Sequence, residues 1–367
     1  MKKFHLVKRE NVSLKVKCLY YLIAILGALA IGAILLAFFG VNPFSFYGKV
    51  VTIGLVGNRI PFTQIYNFIN SFVPLVLTSM ALSIAYKMKF WNVGGEGQFL
   101  MGSVAAAFIP LKFGIVGNAF FTLLLMAVAA MLAAAVWGGA VALLKVRFNT
   151  NETLMTLMLN YIALYFVGFL GETKADWNFF LRADSNRPTF DTVWRVVKMP
   201  DITIGDFKIS LSFVITAILC ALIWVYLKKT KQGYEIAVVG DSIGTAKYAG
   251  MKTGKIIIRT MVLSSALVGL SGFFKLMSAG PMSTSLTDSV GWTGVVVAWL
   301  AKLDTLGIVL TSLLICVLRF GCAQASIQFG AIESRFSDVL QGVILFAVLA
   351  ADFLLRFKIV KNEKGGN

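Results

Sequence analysis

Histidine and acidic residues are scarce in this chain of 367 residues. His5 is the only histidine, and it lies in a basic N-terminal tail. Because imidazole is a common catalytic base and metal ligand, its scarcity argues against histidine-based catalysis and against histidine metal sites. The 34 basic residues outnumber the 17 acidic ones, and the formal net charge is +17. No nucleic-acid-binding motif accompanies this charge, so we expect no nucleic-acid partner.

The four cysteines have the spacing neither of a metal site nor of a disulfide framework. We interpret them as small hydrophobic residues; they are Cys18, Cys220, Cys316 and Cys322. A phosphate-binding P-loop is also absent, because both Gly-Lys pairs precede an aliphatic residue where that motif has Ser or Thr. The two pairs lie in 48–50 and 254–256. The sequence therefore predicts no ATP site of that type and no cofactor bound by this chain.

The chain is strongly apolar, with 58% hydrophobic residues, 14% charged residues and a mean hydropathy of +0.81. Its apolar runs are long enough to cross a bilayer as helices, which takes about 20 residues each. We therefore predict an all-α polytopic membrane protein with about eight to ten transmembrane helices. The predicted segments are 19–39, 64–86, 97–113, 117–141, 152–171, 209–227, 257–278, 290–301, 305–320 and 338–356. The pair at 290–301 and 305–320 is short, which is typical of broken or re-entrant segments.

Basic residues are distributed unevenly over the two predicted sides of the membrane. With the N-terminus inside, the inner segments hold roughly two basic residues for every one outside. This bias predicts that the basic tail 1–18 and the polar, loose tail 358–367 both lie in the cytoplasm, with the membrane domain 19–357 between them. It also places the loop 228–258 in the cytoplasm, the compartment that contains ATP.

Two segments outside the predicted helices carry their own signals. The external loop 172–208 contains Trp177, Trp194 and mixed charges, and it is interpreted either as a folded cap or as a docking surface for an external partner. The segment 40–63 is amphipathic and is predicted to lie at the outer membrane interface.

The basic loop 228–258 is too polar for lipid, yet it contains the signals of a short helix. We predict that Asp241 caps a helix over 242–249 and that Gly250 ends it. Residues three apart share one face of such a helix, here Ile243, Ala246 and Ala249. Because two of these are alanines, another protein could approach the helix backbone closely. Docking to a partner and packing on the chain's own surface both remain open from this stretch alone.

A glycine-rich turn at 87–102 places Glu96 and Gln98 between two apolar segments. A carboxylate at a membrane edge is costly unless it is paired or hydrogen-bonded. The surrounding glycines permit tight turns that bring Glu96 to amide donors at the start of the next helix. One interpretation is a helix break that shapes a translocation path. The other is a capped turn that holds two helices together.

Asn160 lies inside an apolar segment, two turns beyond the expected helix cap at Asn151 or Thr150. A buried amide in lipid needs a hydrogen-bond partner. We therefore expect Asn160 either to bond a neighbouring helix or to contact a substrate in a polar cavity.

Three stretches together resemble one family. The first, 91–98, fits F-N-I-G-x-E-G-Q at Asn92, Glu96 and Gln98 but departs from it at Trp91 and Val93. The second, 151–163, is similar to N-E-x-x-x-T-x-M-L-N-Y-I-A. The third, 233–251, looks like G-Y-x-x-x-A-V-G…A-A-x-Y-A-G-I. Over about 65–350, the chain resembles the permease subunits of bacterial ABC importers for nucleosides and simple sugars, the branched-chain amino acid/ribose-like permeases.

The resemblance implies a type II-like ABC importer permease in a bacterial cytoplasmic membrane. It also implies a coupling helix that docks on a cytoplasmic ATPase; the candidate coupling residues are Asp241, Ile243, Ala246, Tyr248, Ala249 and Gly250. The implied partners are a twin-cassette ATPase holding ATP and Mg²⁺, a second permease subunit, either another copy or a related chain, and an extracytoplasmic solute-binding lipoprotein. The chain itself is expected to be a transport subunit without enzymatic activity. Nucleosides are the first expected solute, and pentoses or other simple sugars the second.

Two other classes fit the sequence less well. An ion-coupled secondary carrier needs carboxylates embedded in the membrane, whereas the carboxylates near apolar segments are expected at the segment edges. These carboxylates are Glu96, Asp288, Glu333 and Asp338. A membrane enzyme needs a nucleophile arrangement or a metal cluster, and the sequence shows the pattern of neither.

Overall fold

The computed structural model describes residues 4–8, 13–53, 55, 61–205, 207–330 and 336–361. Helices dominate these residues: α1 (Leu14–Phe38), α2 (Pro43–Val51), α3 (Pro61–Lys87), α4 (Gly95–Phe113), α5 (Ala119–Phe148), α6 (Glu152–Glu172), α7 (Leu211–Lys229), α8 (Lys231–Asp241), α9 (Ile243–Tyr248), α10 (Thr253–Ala279), α11 (Val290–Leu300), α12 (Thr305–Phe329) and α13 (Phe336–Arg356). Four short strands form two small sheets: β1 (Phe4–Lys8), β2 (Asp201–Ile204), β3 (Phe207–Ser210) and β4 (Phe357–Lys361).

Eight helices in the described residues are long and apolar enough to cross a membrane. These are Leu19–Phe38 within α1, then α3, α5, α6, α7, α10 and α12, and Phe336–Leu355 within α13. The polytopic all-α prediction is confirmed. The two other predicted segments are also helices: α4, which is largely buried, and α11, which has 11 residues. At about 1.5 Å per residue, α11 spans roughly half of a bilayer core.

The prediction for 305–320 was too short, because α12 continues to Phe329. Arg319 interrupts the apolar run in the sequence, yet its Nε lies 3.9 Å from Asp338 Oδ1 on α13. An opposite charge lowers the cost of placing an arginine in a spanning helix. The helix therefore continues beyond Arg319 to Phe329.

The chain divides into two compact units, Met1–Arg59 with Val317–Asn367, and Ile60–Cys316. In the first unit, α1 packs along α13, and β1 pairs antiparallel with β4. Phe46 of α2 is buried against the rings of Phe329 and Phe336. The tail from residue 358, which was predicted to be loose, therefore begins within strand β4. The segment 40–63 was predicted to lie at the membrane interface, and its helix α2 also packs on its own unit through Phe46.

The second unit is built around α3 and α10, each of which contains more buried residues than any other helix of the unit. Small residues bring helices close together: a methyl group at Gly102 of α4 would lie 2.5 Å from the Cα of Gly269 in α10. Hydroxyl groups also form hydrogen bonds between α3 and α10. Thr78 Oγ1 donates to Ser271 Oγ at 2.8 Å. Such contacts are typical of helices that associate within a membrane.

The segment 172–208 forms a folded cap on the second unit. Strands β2 and β3 pair as an antiparallel hairpin, preceded by a single 3₁₀ turn at Val193–Arg195. The Trp194 indole Nε1 donates to the carbonyl of Met277 at 2.6 Å, and the Val193 amide donates to the carbonyl of Gly280 at 3.1 Å. These bonds fasten the cap to the C-terminal end of α10.

Candidate functional site

Asn92 and Gln98 form a reciprocal amide pair at the start of α4. Asn92 Nδ2 donates to Gln98 Oε1 at 3.3 Å, and Gln98 Nε2 donates to Asn92 Oδ1 at 3.0 Å. Both side chains are buried. Tyr86, near the end of α3, donates its hydroxyl to the Asn92 carbonyl at 2.7 Å. The turn between α3 and α4 is therefore locked by bonds within the chain, as expected for buried polar groups.

Asn160 of α6 bonds the same turn with both ends of its amide. Its Oδ1 accepts from the Gly97 amide at 2.8 Å, and its Nδ2 donates to the Val93 carbonyl at 2.9 Å. Of the two interpretations of Asn160, the geometry agrees with bonding between helices. The expected cap of α6 is Asn151, which accepts from the amides of Thr153 and Leu154.

Glu96 lies in the first turn of α4 but serves the start of a different helix. Its Oε2 accepts from the Gly291 amide at 2.7 Å, in the first turn of α11. A helix N-terminus has unpaired amides and partial positive charge, so a carboxylate there is stabilising. Gly291 is required here because a methyl group would overlap Glu96. The geometry agrees with the capped-turn interpretation, although the amide that Glu96 accepts from lies 195 residues further along the chain.

Pairs of left-handed residues that are not glycine flank α11. Asp288 and Ser289 precede it with φ of 47° and 56°, and Lys302 and Leu303 follow it with φ of 52° and 60°. Side chains disfavour this backbone region, and such residues concentrate where surrounding structure forces a tight turn. The short helix is therefore joined to both neighbours by sharp turns.

Asp304 fixes the turn after α11. Its Oδ2 accepts from the Gly307 amide at 3.1 Å, and Lys228 Nζ at the end of α7 lies 3.5 Å from its Oδ1. The Gly307 hydrogen bond, together with the Lys228 charge, lowers the pKa of Asp304 below its ordinary value.

Helix α8 was not predicted from the sequence. Thr230 caps it by accepting from the Gly233 amide at 3.2 Å, and Glu235 pairs with Arg259 of α10 at 2.9 Å. A methyl group at Gly240 would overlap the carbonyl oxygen of Lys87, so α8 touches the end of α3 at backbone distance. Gly233 and Gly240 lie at close backbone contacts, and they were the signal in the sequence that α8 packs tightly on its neighbours.

The predicted short helix exists as α9, but two of its assigned residues need correction. Ser242, and not Asp241, caps it by accepting from the Thr245 amide at 3.2 Å; Asp241 is the last residue of α8. Gly250, with φ of 71°, follows the end as predicted. Ala246 has 0% exposure, so it packs on the chain itself and is not open to a partner.

The exposed surface of α9 differs from the predicted face. Tyr248 is 98% exposed, and Ile243 and Ala249 are exposed as well. Ala246 contributes instead to the buried core that it shares with α3 and α10. The helix therefore presents a large aromatic side chain while its inner side holds it to the bundle.

Contacts run without interruption from α9 to the Asn92–Gln98 pair. Helix α9 follows α8 directly, α8 touches the Lys87 carbonyl, and the adjacent Tyr86 bonds the Asn92 carbonyl. These contacts, with the chain connection between α8 and α9, join α9 to the start of α4. Nearby, Trp91 and Trp299 stack with centroids 5.1 Å apart, a contact that the sequence did not suggest.

The profile of one permease family matches most of the chain. The family described as "Branched-chain amino acid transport system / permease component" matches residues 64–349. This chain belongs to that family. Members are transport components of ABC systems, and with its eight apolar helices the chain is a multi-pass membrane protein.

Curated relatives match nearly the whole chain. It is 28% identical to "Guanosine ABC transporter permease protein NupP" of Bacillus subtilis, over 94% of this chain and 96% of the relative. It is 27% identical to "Nucleoside ABC transporter permease protein NupB" of Lactococcus lactis, over 94% of each. It is 24% identical to "Glucose ABC transporter permease protein TsgB13" of Haloferax volcanii, over 94% and 90%. No solved structure gives a significant match.

Proposed function

We propose that this chain is the translocation subunit of an ATP-driven importer of nucleosides. Two relatives that match over 96% and 94% of their length carry nucleosides in their names, which supports this solute class. Simple sugars are the second candidate, favoured by the glucose permease relative.

The single structural observation that carries the proposal is that α9 is packed on the bundle on one side and exposes Tyr248 on the other. Its Tyr248 side chain is 98% exposed, although tyrosine normally buries much of its ring. The buried Ala246 and the cap at Ser242 hold the helix rigidly on the bundle. A rigid helix with a protruding aromatic group suits the groove of a partner protein. In this role α9 is the coupling helix, with Ile243, Tyr248 and Ala249 as its contact residues.

The partners follow from this role. A twin-cassette ATPase holds ATP and Mg²⁺ and receives α9, while this chain binds neither. A second permease subunit completes the path, and a lipoprotein receptor delivers solute from outside a bacterial cytoplasmic membrane. Both termini then lie in the cytoplasm with α9. When the ATPase closes on ATP, α9 moves with α8 against the end of α3, and the path switches between its two open states.

Glu96, Asn92, Gln98 and Asn160 act in this mechanism by positioning helices. Their hydrogen bonds join the starts of α4 and α11 to α6, so we expect these three helices to move together. An ion-driven carrier is less well supported, since Glu96 binds a helix terminus and Asp338 pairs with Arg319. Glu333 lies outside the described residues.

The test measures uptake in a strain that lacks this chain and in the same strain complemented with it. Labelled guanosine, ribose and glucose are supplied separately, and a tagged chain is purified in mild detergent with its partners. We expect ATP-dependent guanosine uptake only with the complemented strain, and co-purification of an ABC ATPase. Uptake of ribose or glucose without uptake of guanosine would change the proposed solute to a simple sugar. Uptake that follows an ion gradient and ignores ATP depletion would reject the importer mechanism.

A further inference from the structure

Two adjoining cavities lie under the cap of the second unit, at the end of the bundle opposite α9. The larger, of about 280 Å³, is enclosed by the start of α3, the end of α10 and the cap. The smaller, of about 250 Å³, lies between α3 and the β2–β3 hairpin. Both are lined by Tyr66 and Lys198, so they adjoin. Together they reach the range of small-molecule sites, about 300–1,000 Å³.

Asp201 is the acidic group of the smaller cavity. Its Oδ1 accepts the hydroxyl of Tyr66 at 2.9 Å, which holds the carboxylate toward α3. Among the described residues, Oδ2 has no hydrogen-bond donor. A carboxylate accepts hydrogen bonds at both oxygens, and acidic side chains commonly bind ribose hydroxyls.

Carboxamides and ammonium groups supply the donors. Asn67 and Asn70 line the larger cavity on successive turns of α3, and Lys198 reaches both cavities. A carboxamide both donates and accepts, as a sugar hydroxyl does, so the pair complements a polyhydroxylated ring. Trp194 does not offer a stacking surface, because Gly280 packs on its ring and Lys198 Nζ lies 5.3 Å from the ring centroid.

We propose that these cavities form a solute-binding site in which Asp201, with Asn67 and Asn70, recognises the vicinal hydroxyl groups of a ribose or hexose ring. The inference rests on the proposed function, since it takes the end opposite α9 as the extracytoplasmic side. It deepens that function by naming the chemical group recognised. Nucleosides and hexoses share a ring with neighbouring hydroxyls, so one such site accounts for relatives that are named for either solute.

The test compares guanosine with 2′,3′-dideoxyguanosine in the complemented strain. The maximal uptake rate is measured at concentrations that saturate the receptor, for the wild type and Asp201→Asn. The receptor is the same in both strains, so a change in the ratio of the two rates comes from the permease. Asparagine still accepts the Tyr66 hydroxyl but lacks the charge that strengthens hydroxyl bonds. We expect Asp201→Asn to lower the guanosine rate about tenfold and the dideoxyguanosine rate less than twofold.

Asp184→Asn is the matched control, because Asp184 is an exposed carboxylate of the same cap that pairs with Arg182. It should leave both rates unchanged. Membrane abundance and receptor-stimulated ATP hydrolysis verify folding and coupling in each variant. If Asp201→Asn fails to accumulate, Tyr66→Phe removes only the hydroxyl that orients Asp201 and should lower the guanosine rate selectively, by about threefold.

Equal loss of both rates, or loss of neither, would overturn the site. A wild-type strain that takes up glucose but no guanosine would instead reject the proposed nucleoside function. In that case, glucose and 2,3-dideoxyglucose, which lacks neighbouring ring hydroxyls, replace the nucleoside pair. A selective loss of glucose uptake in Asp201→Asn would then uphold the site, and an unchanged ratio would overturn it.

Discussion

The Glu96 carboxylate in α4 accepts a hydrogen bond from the Gly291 amide of α11, with 2.7 Å between Oε2 and the nitrogen. One carboxylate thus stands at the starts of two helices that both begin inside the bundle. Each start has unpaired amides that lipid cannot satisfy. The position of α11 therefore depends on α4, which Asn160 in turn ties to α6.

Replacing Glu96 tests whether this contact supports the fold or the transport path. Glu96→Gln keeps an acceptor for the Gly291 amide but removes the charge at a helix N-terminus. That charge is worth roughly 0.3–1 kcal/mol. Glu96→Ala leaves a buried amide unsatisfied, at about 1–3 kcal/mol. We expect a small fall in detergent melting temperature for Gln and a larger one for Ala, with uptake per folded molecule nearly unchanged for Gln.

Glu172→Gln is the comparison, since Glu172 ends α6 and a negative charge at a helix C-terminus is unfavourable. It should melt no lower than the wild type. A Glu96→Gln protein that is as stable as the wild type but transports nothing would assign Glu96 to the solute path instead.

Substitutions at Tyr248 and Ala246 of α9 should have different effects, one on partner binding and the other on folding. Tyr248→Ala removes an exposed ring from α9, so the chain should accumulate normally while ATPase recovery and uptake fall about tenfold, as for an interface hot spot. Ala246→Arg puts a charge at a position with 0% exposure, so this chain should fail to accumulate. Membrane abundance and co-purified ATPase distinguish the two outcomes.

Trp177→Ala serves as the control because its ring is 52% exposed on the segment 172–208, far along the chain from α9. It should not change ATPase recovery. Normal uptake by Tyr248→Ala would remove Tyr248 from the docking surface.

The sequence predicted the elements that depend on local pattern. Each of the ten segments predicted from apolar runs coincides with a helix, and the motif around Glu96 marked a site whose hydrogen bonds join helices. Gly250 was placed correctly because a helix end needs a residue that tolerates positive φ. These signals are contained in a few neighbouring residues.

Long-range partners could not be predicted in the same way. The Glu96–Gly291 bond joins residues 195 positions apart, and nothing near Glu96 in the sequence indicates α11. The predicted segment 305–320 stopped short of Phe329, and nothing near Arg319 in the sequence indicates its partner Asp338 on α13. On α9, the small side chain of Ala246 predicts a surface that a partner could approach closely, but alanine is equally common in a tightly packed interior, and Ala246 is buried there.

Close contact between α5 and α10 makes Gly269 intolerant of substitution. A methyl group there would lie 2.5 Å from the Cβ of Ala134 and would overlap the Ala130 carbonyl on α5. Overpacking of this kind costs typically about 1–3 kcal/mol. We expect Gly269→Ala to lower the melting temperature and membrane abundance clearly. At Gly27 of α1 nothing lies within 4 Å, so Gly27→Ala should be neutral or stabilising. Equal melting temperatures for both variants would contradict this packing.

Asp304 gives the turn after α11 a pH dependence. Its pKa is lowered in the folded chain, mainly by the Gly307 amide and then by Lys228, so folding favours the ionised form. The resulting stabilisation is fully present above the ordinary aspartate pKa and disappears as the pH falls through the lowered folded value. Asp304→Asn should therefore melt below the wild type at pH 7, and the difference should shrink as the pH falls below the ordinary aspartate pKa.

Lys228→Gln separates the two causes of the lowered Asp304 pKa, because it removes the ion pair with Lys228 but leaves the hydrogen bond from the Gly307 amide. Asp304 is about half exposed, and exposed ion pairs contribute little. We therefore expect Lys228→Gln to reproduce only a small part of the pH-dependent difference. If Lys228→Gln reproduces all of it, the charge on α7 and not the Gly307 amide holds the turn, and the link between α7 and α11 is electrostatic.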